Sequence, residues 1–282
     1  MPEPSSTTGL VADRVAIVTG GAQGIGRATA RALLEAGARV CVADLDADKI
    51  KELAAEWGDD RVLPLAGDIT EPDAARHLVR STVERFGQVD ILVNNAGYFW
   101  DAPLHRMTDE QFEAMLQIHT IVPFRLIREV LTEWRPLAKA EAENGVARYR
   151  KIVNVSSRAA LRGLAGAANY ATAKAGLLGL TYSAAKESGK LCINVNAVAF
   201  GPVSTRFGKP VEAGTVIRSG GHEIPLGRVV KPDAKTTAPA SGPRRSTISG
   251  RAASPREAAD TILYLCSPLA DLVNGEVVQV NG

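Results

Sequence analysis

The sequence predicts an α/β fold, a single domain in which a doubly wound parallel sheet is flanked by helices. Apolar runs rich in Val, Ile and Ala alternate with helical stretches, and this alternation is typical of parallel strands joined by right-handed crossovers. The 282 residues, of which 45% are hydrophobic, are enough to build one such domain. The predicted strands cover residues 14–19, 38–43, 61–66, 89–93, 151–156, 192–198 and 276–280.

The charge balance and the cysteines narrow the classes of function. A formal net charge of +2 provides no basic footprint for nucleic acid or a membrane surface. Cys41, Cys192 and Cys266 lack the spacing of a metal site or a disulfide framework, so we expect no metal and a reducing, cytoplasmic location. No apolar stretch is long enough to span a bilayer. The polar residues 1–12 lack the apolar core of a signal peptide, so we expect a mobile tail there and one domain over 13–282.

The first predicted strand runs into a glycine-rich turn, which leads directly into a helical stretch. Gly20 allows the tight turn, Gly24 lets the backbone approach a pyrophosphate, and Gly26 permits close packing of the helix against the strand. The helix N-terminus then offers free N–H groups and the positive end of its dipole to phosphates. This strand–turn–helix context predicts a dinucleotide site in a Rossmann-type fold.

The second predicted strand ends at an acidic residue, Asp44. About 20 residues beyond such a glycine turn, a carboxylate accepts hydrogen bonds from the adenosine ribose hydroxyls. It also repels the 2′-phosphate of NADP, and no Lys or Arg at positions 23, 45 or 46 offsets that repulsion. We therefore expect the cofactor NAD rather than NADP, the alternative being that Asp44 is a solvated loop residue.

A tyrosine and a lysine four residues apart, Tyr170 and Lys174, follow Ser157 by thirteen and seventeen positions. At this spacing the two side chains share one face of a helix. Lowering a tyrosine pKa from ~10 to ~7 requires about 4 kcal/mol. One ammonium at ~4 Å supplies about that much at an effective dielectric constant of ~20. The pair therefore predicts a tyrosine that exchanges protons near neutral pH, although the spacing is common by itself.

Together these motifs resemble those of the short-chain dehydrogenases/reductases, from about Asp13 to the end of the chain. The order and spacing of all of them match the family, which makes the resemblance highly specific. They are the glycine turn, Asp68-Ile69, Asn94-Asn-Ala-Gly97, Ser157 and Tyr170 with Lys174.

The resemblance implies a role for each matching residue. Ser157 would polarise the substrate oxygen, Tyr170 would be the acid/base, and Lys174 would bind the nicotinamide ribose and lower the tyrosine pKa. Asp68 would bind the adenine amino group, and Thr205 the nicotinamide amide. The implied cofactor-binding residues are Gly20, Gln23, Gly24, Ile25, Gly26, Asp44, Leu45, Asp68, Ile69, Asn95, Ala96, Gly97, Tyr170, Lys174, Gly201, Val203 and Thr205.

Two residues depart from the family pattern. His119 stands where the family has its fourth catalytic residue, an asparagine. It either takes over the asparagine's function, by holding a water that links Lys174 to solvent, or is a packed helix histidine. Phe200 replaces the proline of a Pro-Gly dipeptide, and we expect the loop leading to Thr205 to be looser without the fixed φ of proline.

Two segments exceed the usual family length. Residues 135–151 suggest a helix extension followed by a solvated loop. Residues 229–251 contain five basic residues against one acid. This second segment is either a disordered insertion or a basic flap that meets a phosphorylated carrier such as coenzyme A or a phosphopantetheine arm.

The leading functional hypothesis is an NAD(H)-dependent oxidoreductase that interconverts a secondary alcohol and a ketone. His119, the Gly-x-x-Asn-Tyr170 run and an extension containing Trp134 resemble the branch acting on 3-hydroxyacyl/3-oxoacyl thioesters, carried on coenzyme A or acyl carrier protein. The consecutive aromatics 98–100 are either a wall of the substrate pocket or core packing. Alternatives are a steroid, polyol or other small-alcohol dehydrogenase and a non-catalytic NAD-binding regulatory protein. The resemblance also implies a homotetramer.

Overall fold

The computed structural model describes residues 9–58, 60–205, 216–225, 247 and 250–281. Its strands are β1 (Val15–Thr19), β2 (Arg39–Asp44), β3 (Val62–Ala66), β4 (Ile91–Asn94), β5 (Arg150–Ser157), β6 (Ile193–Phe200), β7 (Val216–Ser219), β8 (His222–Pro225) and β9 (Val277–Val280). Its α-helices are α1 (Gly24–Glu35), α2 (Ala47–Trp57), α3 (Ala74–Phe86), α4 (Asp109–Leu116), α5 (Val122–Glu143), α6 (Ala159–Arg162), α7 (Ala168–Ser188) and α8 (Pro255–Cys266). A π-helical turn, Gln117–Ile121, joins α4 to α5.

Seven parallel strands form the central sheet in the order β3–β2–β1–β4–β5–β6–β9. The chain moves outward in one direction from β1 to β3 and in the other from β4 to β9, so the strand order reverses between β1 and β4. Each predicted strand is present with ends shifted by at most a few residues, and the predicted fold class is confirmed. The antiparallel hairpin β7–β8 was not predicted.

Two apolar layers cover the sheet, one on each face. On one face α1 packs against α8, and Leu33 and Ile262 are fully buried between the helices and the sheet. The other face is covered by α3, α5 and α7 and contains the largest buried side chain, Trp134. Because both faces are covered, the carboxyl ends of the strands are the edge at which a ligand can reach the switch point of the sheet.

The regions predicted outside the family pattern have mixed outcomes. The expected tail over 1–12 is too long, because Val11 is 1% exposed and its N–H donates to the carbonyl of Ala36. Residues 1–8 lie outside the described part of the chain. The expected helix extension is present, since α5 continues to Glu143 and a loop then leads into β5.

The basic segment 229–251 lies outside the described residues except for positions 247, 250 and 251. Arg251 is exposed and makes a two-pronged ion pair with Glu257 of α8. Within the described ranges, no helix combines the length and the apolar character needed to cross a membrane.

Candidate active site

A cavity of about 810 Å³ lies at the carboxyl ends of the strands. Every site residue predicted from the sequence lines it except Gly26, which packs against Gly20 and Asn95. The lining residues that the sequence predicted are Gly20, Gln23, Gly24, Ile25, Asp44, Leu45, Asp68, Ile69, Asn95, Ala96, Gly97, His119, Ser157, Tyr170, Lys174, Gly201, Val203 and Thr205.

The turn after β1 leaves no room for a side chain at Gly20 and Gly26. A Cβ added to Gly26 would lie 2.1 Å from the carbonyl oxygen of Gly20, so α1 could not approach the turn as closely. Gly20 has a φ of +62°, which favours glycine, and its added Cβ would meet Ala96 Cα at 2.8 Å. Close backbone packing therefore explains why the first and the third of these positions are glycines.

The second glycine faces the cavity and leaves a cradle in front of α1. A Cβ on Gly24 would fill the space before Thr205, whose Cγ2 would lie 3.6 Å away. The N-cap residue Gln23 makes no side-chain capping bond, and the first turn of α1 contains no acidic residue. The free N–H groups and the helix dipole therefore fit the phosphates of a dinucleotide.

Asn95 and Thr19 lock the turn to the end of β4. The Asn95 amide donates to the carbonyls of Thr19 and Gly20 at 2.9 and 3.0 Å. The Thr19 hydroxyl accepts from the N–H groups of Asn95 and Ala96, both at 3.0 Å. Thr19 was not predicted as a site residue, because it resembles an ordinary strand-end residue until its partners 76 and 77 positions away are known.

Asp44 lies at the end of β2 beside the glycine turn. Its carboxylate accepts from the backbone N–H groups of Ala22 at 3.0 Å and Asp46 at 3.1 Å. Both bonds orient the carboxylate at the cavity wall. The described cavity wall contains Arg218 and Lys174 as its cationic residues, and Lys174 is buried at the other end of the site.

Asp68 has partners that the sequence did not indicate. Its Oδ1 accepts from the Thr70 N–H at 2.9 Å, the Thr70 hydroxyl at 2.6 Å and the Ser219 hydroxyl at 3.0 Å. Its Oδ2 accepts from the N–H of Gly220 at 2.9 Å. A carboxylate has about four lone-pair sites, so these four donors nearly exhaust its capacity. The role of Asp68 toward an adenine amino group stays a prediction.

Ser157 and Tyr170 meet at one end of the cavity, called the Tyr170 end below. Ser157 ends β5, its hydroxyl accepts from the N–H of Ala159 at 3.1 Å, and it shares a side-chain hydrogen bond with Tyr170. Tyr170 is 9% exposed in the first turns of α7. The preceding residue, Asn169, is fully buried and ties this helix start to the carbonyls of Trp100 and Gln111, at 2.9 Å each. Asn169 was not predicted as a site residue, although it directly precedes the tyrosine.

The predicted pKa shift of Tyr170 has the wrong sign in this structure. Burial raises the pKa of Tyr170 above its usual value, and the Ser157 hydrogen bond offsets only part of that effect. Lys174 does not provide the expected help, since burial lowers the pKa of its ammonium to about 7. Its Nζ donates to the carbonyl of Val155 at 2.7 Å and lies 5.9 Å from the centre of the Tyr170 ring. Desolvation therefore outweighs charge pairing at this end of the cavity.

His119 lies in the π-helical turn beside Tyr170 and is 1% exposed. Its Nε2 lies 2.9 Å from the carbonyl oxygen of Tyr98 and must carry the proton, because a carbonyl can only accept. Burial and the nearby charge of Lys174 hold the pKa of His119 well below its usual value. The imidazole is therefore neutral, and its Nδ1 is a buried acceptor without a partner among the described residues.

Gly97 makes room for this histidine. A Cβ at that position would lie 2.2 Å from His119 Cε1. The His119 ring meets the Tyr170 ring edge-on, with 5.1 Å between the centroids. The glycine at the end of the Asn-Asn-Ala-Gly turn thus lets an imidazole approach the tyrosine where a larger residue would block it.

Of the three consecutive aromatics after β4, two line the cavity, and all three also pack in or against the core. Tyr98 and Phe99 line the cavity, and the Phe99 ring lies 4.8 Å from the Tyr170 ring between centroids. Trp100 is not among the lining residues and lies 6.2 Å from the His222 ring of β8.

The β7–β8 hairpin also borders the cavity, through Ile217, Arg218 and Ser219. This hairpin was not predicted from the sequence. Its signal is the dipeptide Gly220-Gly221 between two short runs, and both glycines have positive φ, +61° and +80°, as a two-residue hairpin turn requires.

The loop expected to be loosened by Phe200 is well tied as far as Thr205. Phe200 is the last residue of β6, is 5% exposed, and accepts from the Arg158 N–H at 2.9 Å. Beyond it, Gly201 donates to Val280 and Ser204 to Ala253, both at 2.8 Å. These backbone hydrogen bonds hold the loop without the fixed φ of a proline, so the expectation of a looser loop is not met as far as Thr205.

Comparisons with known proteins agree with this architecture. Residues 14–215 match the family model described as short chain dehydrogenase. The chain is 36% identical to the hydroxyacyl-CoA dehydrogenase ChsB1 of Mycobacterium tuberculosis, over 100% of this chain and 81% of that protein. It is 33% identical to the 3-oxoacyl-[acyl-carrier-protein] reductase FabG of Vibrio cholerae, over 95% of this chain and 96% of that protein.

Among solved structures, the chain resembles the 3-ketoacyl-(acyl-carrier-protein) reductase from Brucella melitensis complexed with NADH. The TM-score is 0.75 at 25% identity, over 96% of this chain and 97% of that one. The family match spans the glycine turn, the Asn-Asn-Ala-Gly turn and the Ser157, Tyr170 and Lys174 cluster. The chain therefore belongs to the short-chain dehydrogenase family and is an oxidoreductase that acts on CH–OH donors.

Proposed function

We propose that this protein is an NAD(H)-dependent oxidoreductase that interconverts 3-hydroxyacyl and 3-oxoacyl thioesters. The observation that carries the proposal is the hydrogen-bonded Ser157–Tyr170 pair, which opens into the same cavity as the glycine turn and Asp44. A proton-exchanging pair at one end of a cavity with a phosphate cradle at the other end is what a dinucleotide-dependent alcohol dehydrogenase requires.

In this proposal the chain's own residues bind the substrate oxygen and move its proton. Ser157 donates a hydrogen bond to the substrate oxygen, and Tyr170 gives or takes the hydroxyl proton as general acid or base. When bound, the nicotinamide supplies or accepts the hydride. Lys174 binds the nicotinamide ribose, and only its protonated form carries a charge that would favour the phenolate. Since the pKa of Lys174 is about 7, that charge is fully present only in the acidic range.

His119 is proposed as a positioning residue that holds a water near Lys174. The support for this role is the bare Nδ1 lone pair, buried beside the lysine and without a partner among the described residues. A neutral imidazole whose Nε2–H is held by Tyr98 can accept from water but cannot donate a proton to substrate from Nδ1. The alternative interpretation, a histidine that only fills the π-helical turn, predicts full activity in a His119→Leu variant.

NAD is the proposed cofactor because of the charge at the end of β2. The carboxylate of Asp44 lies at the cavity wall. Its two hydrogen-bond donors, Ala22 and Asp46, are backbone N–H groups and not cationic side chains. A 2′-phosphate placed against this carboxylate would be repelled by several kcal/mol at contact distance.

An acyl thioester is the proposed substrate because of the cavity's apolar wall and the relatives' activities. Tyr98 and Phe99 offer aromatic surface beside Tyr170, which suits an acyl chain. ChsB1 and FabG are named for coenzyme A- and acyl-carrier-protein-linked substrates. We propose that the carrier is coenzyme A or acyl carrier protein, with Arg244 and Arg245 of the basic segment near its phosphates; both arginines lie outside the described residues.

The test compares three ketones with NADH as reductant: a 3-oxoacyl-coenzyme A, the same acyl group on N-acetylcysteamine, and a short ketone without a thioester. We expect the coenzyme A substrate to have the highest kcat/KM. Raising salt, or changing Arg244 and Arg245 to Ala, should raise its KM with little change in kcat, the result of lost uniform binding. Equal rates with the short ketone and no salt effect would contradict the thioester proposal and indicate a general alcohol dehydrogenase.

A homotetramer is also proposed. Phe124 and Leu137 of α5 and Tyr182 of α7 are 45%, 53% and 44% exposed, which leaves apolar surface on these helices for contact with another copy. Light scattering that gives the mass of a monomer at micromolar concentration would refute it.

A further inference from the structure

Three arginines line a second pocket, which lies at the edge of the sheet opposite the cavity described above. The volume of this pocket is about 370 Å³, and its lining residues are Ala12, Asp13, Arg14, Arg39, Gln88 and Arg148. Arg39 is the first residue of β2, Arg14 directly precedes β1, and Arg148 lies two residues before β5. Because the strands of the sheet are parallel, their amino ends share one edge, and the three arginines come together there.

A buried carboxylate accounts for two of these guanidinium groups. Asp90 is 1% exposed, and its Oδ1 accepts from Arg148 Nε at 3.1 Å, Arg148 Nη2 at 2.6 Å and Arg14 Nη1 at 3.4 Å. Its Oδ2 accepts from the Val15 N–H at 2.9 Å and the Gln88 amide at 2.8 Å. A buried charge requires such partners. Arg14 and Arg148 therefore serve the fold whether or not a ligand binds.

The third guanidinium, that of Arg39, does not serve this carboxylate. Its Nη1 donates to the carbonyl of Phe86 at 3.2 Å, and its central carbon lies 5.5 Å from the centre of the Phe86 ring. Among the described residues, Arg39 has no ion-pair partner. A guanidinium has five N–H donors, so Arg39 keeps further donors for a ligand in the pocket.

The charges at this pocket favour an anion. Three guanidinium groups stand against two carboxylates, the buried Asp90 and the exposed Asp13. Nearby, Arg150 and Glu141 form a two-pronged ion pair at 2.7 and 2.8 Å, which adds no net charge. Guanidinium groups stay protonated across the physiological pH range, so the excess of positive charge persists there.

We propose that Arg14, Arg39 and Arg148 form an anion site for the phosphate groups of a small molecule. The planar fork of a guanidinium matches phosphate oxygens and can bind two of them at once. Asp90 already orders two of the three forks, which reduces the entropy cost of binding. A volume of about 370 Å³ is at the lower end of the range for small-molecule sites and suits a diphosphate or a small phosphate ester. The inference does not rest on the proposed function, since this pocket contains none of the residues of that site.

The test has to separate this pocket from the glycine turn, where phosphate can also bind. Gly24→Asp places a carboxylate at that turn, and the φ of +57° there is one that Asp adopts more readily than most residues. In this background we expect isothermal titration calorimetry to show one saturable site for pyrophosphate. Pyrophosphate and glycerol 3-phosphate represent the inorganic and the esterified source, and the tighter binder identifies which source the site prefers.

Arg39→Gln, added to the Gly24→Asp background, should weaken pyrophosphate binding at least tenfold, as expected for the loss of charge-assisted hydrogen bonds. Arg85→Gln is the matched control. Arg85 lies over the same Phe86 ring, 5.2 Å from its centre, but does not line the pocket, so the Kd should stay within twofold. Asp13→Asn removes the carboxylate of the lining and should tighten binding about threefold; Asn also adopts the φ of +60° at this position.

A second measurement does not depend on the Gly24 substitution. In the otherwise unmodified protein, pyrophosphate should raise the Tm because it binds the folded state, and Arg39→Gln should lose part of the rise that Arg85→Gln retains. This comparison decides the matter if Gly24→Asp does not fold.

Three results would each refute the anion site. They are the absence of saturable pyrophosphate binding in folded Gly24→Asp protein, equal losses in Arg39→Gln and Arg85→Gln, and acetate binding as tight as that of pyrophosphate. If the unmodified protein does not bind NADH, the proposed function fails, while the anion site is judged by the pyrophosphate measurements alone.

Discussion

The two ends of the cavity hold their polar side chains in different environments. At the Tyr170 end, Tyr170, Lys174 and His119 are each at most 9% exposed, and burial is the main cause of every pKa shift among them. At the other end, Asp44 and Asp68 are partly exposed. Their carboxylates accept hydrogen bonds from backbone N–H groups and, at Asp68, from hydroxyls. Desolvation thus controls the first end, whereas charge and hydrogen-bond geometry control the second.

This difference indicates what a substitution should change at each end. Altering a buried titrating group should change turnover and the pH dependence of stability, because its protonation is tied to burial. Altering a carboxylate at the other end should change cofactor affinity and selectivity while the chemical step continues. Four experiments test this division, in decreasing order of the expected effect.

The largest effect is expected from removing the hydroxyl of Tyr170. Tyr170→Phe keeps the ring and its contact with Phe99 but abolishes proton transfer, so kcat should fall by about 10²–10⁴-fold. NADH affinity, measured by nicotinamide fluorescence, should stay within a few-fold of normal. If turnover stays within a few-fold of normal, another residue is the acid/base. That result would contradict the expected contrast between the two ends of the cavity.

The next effect concerns stability and comes from the lowered pKa of Lys174. In the unfolded chain the ammonium pKa is near its usual 10.5, whereas burial brings it to about 7 in the folded protein. Between these two pKa values the unfolded state binds more protons than the folded state. This lysine therefore makes the free energy of unfolding rise with pH from about pH 7 to 10.5, and it does not affect the pH dependence of stability below that window. Lys174→Met should remove that contribution.

Urea unfolding at pH 7 and pH 9 measures this contribution as a difference. From pH 7 to pH 9 the stability of the unmodified protein should increase relative to Lys174→Met by about 2 kcal/mol. Val155→Ala, which keeps the backbone carbonyl that Lys174 contacts, should retain the pH dependence. Parallel pH dependence in the unmodified and Met proteins would show that the lysine keeps its usual pKa despite burial.

At the opposite end, Asp44 should determine cofactor selectivity. The unmodified protein should bind NADH at least tenfold more tightly than NADPH, because the carboxylate repels the 2′-phosphate. Asp44→Asn keeps an oxygen that can accept from Ala22 but removes the charge, so it should narrow this ratio with little change in kcat. Equal affinities in the unmodified protein would contradict the NAD proposal. Glu52→Gln, which removes a carboxylate on α2 outside the cavity lining, is the matched control.

The smallest effect is expected at His119, where the charge does not change. His119→Asn, which can still accept a hydrogen bond, should keep turnover within a few-fold, while His119→Leu should slow it more. Thermal unfolding of both variants separates a general loss of packing from a specific loss of the polar group. Full activity in His119→Leu would favour the interpretation of a packed histidine.

Much of the fold and most of the lining of the site followed from local sequence patterns. The strands were predictable because buried parallel strands are short apolar runs, and the glycine turn because strand, turn and helix occur in direct succession. Parallel strands deliver their carboxyl ends to one edge, so residues that follow β1, β2, β4 and β5 had to come together there. This is why Gly20, Asp44, Gly97 and Ser157 line one cavity although they are far apart in the chain.

Only the tertiary structure decided how these residues behave once they are together. The pKa directions of Tyr170 and Lys174 depend on burial, which results from packing by distant elements and has no local signature. The link between Asp68 and Ser219 joins residues 151 positions apart, and spacing alone does not reveal such a contact. The sequence by itself therefore determined the architecture and the residue types of the site, because periodicity and turn chemistry are local. Protonation, hydrogen-bond partners and the hairpin wall were decided by the folded structure, because they depend on which distant groups exclude water from one another.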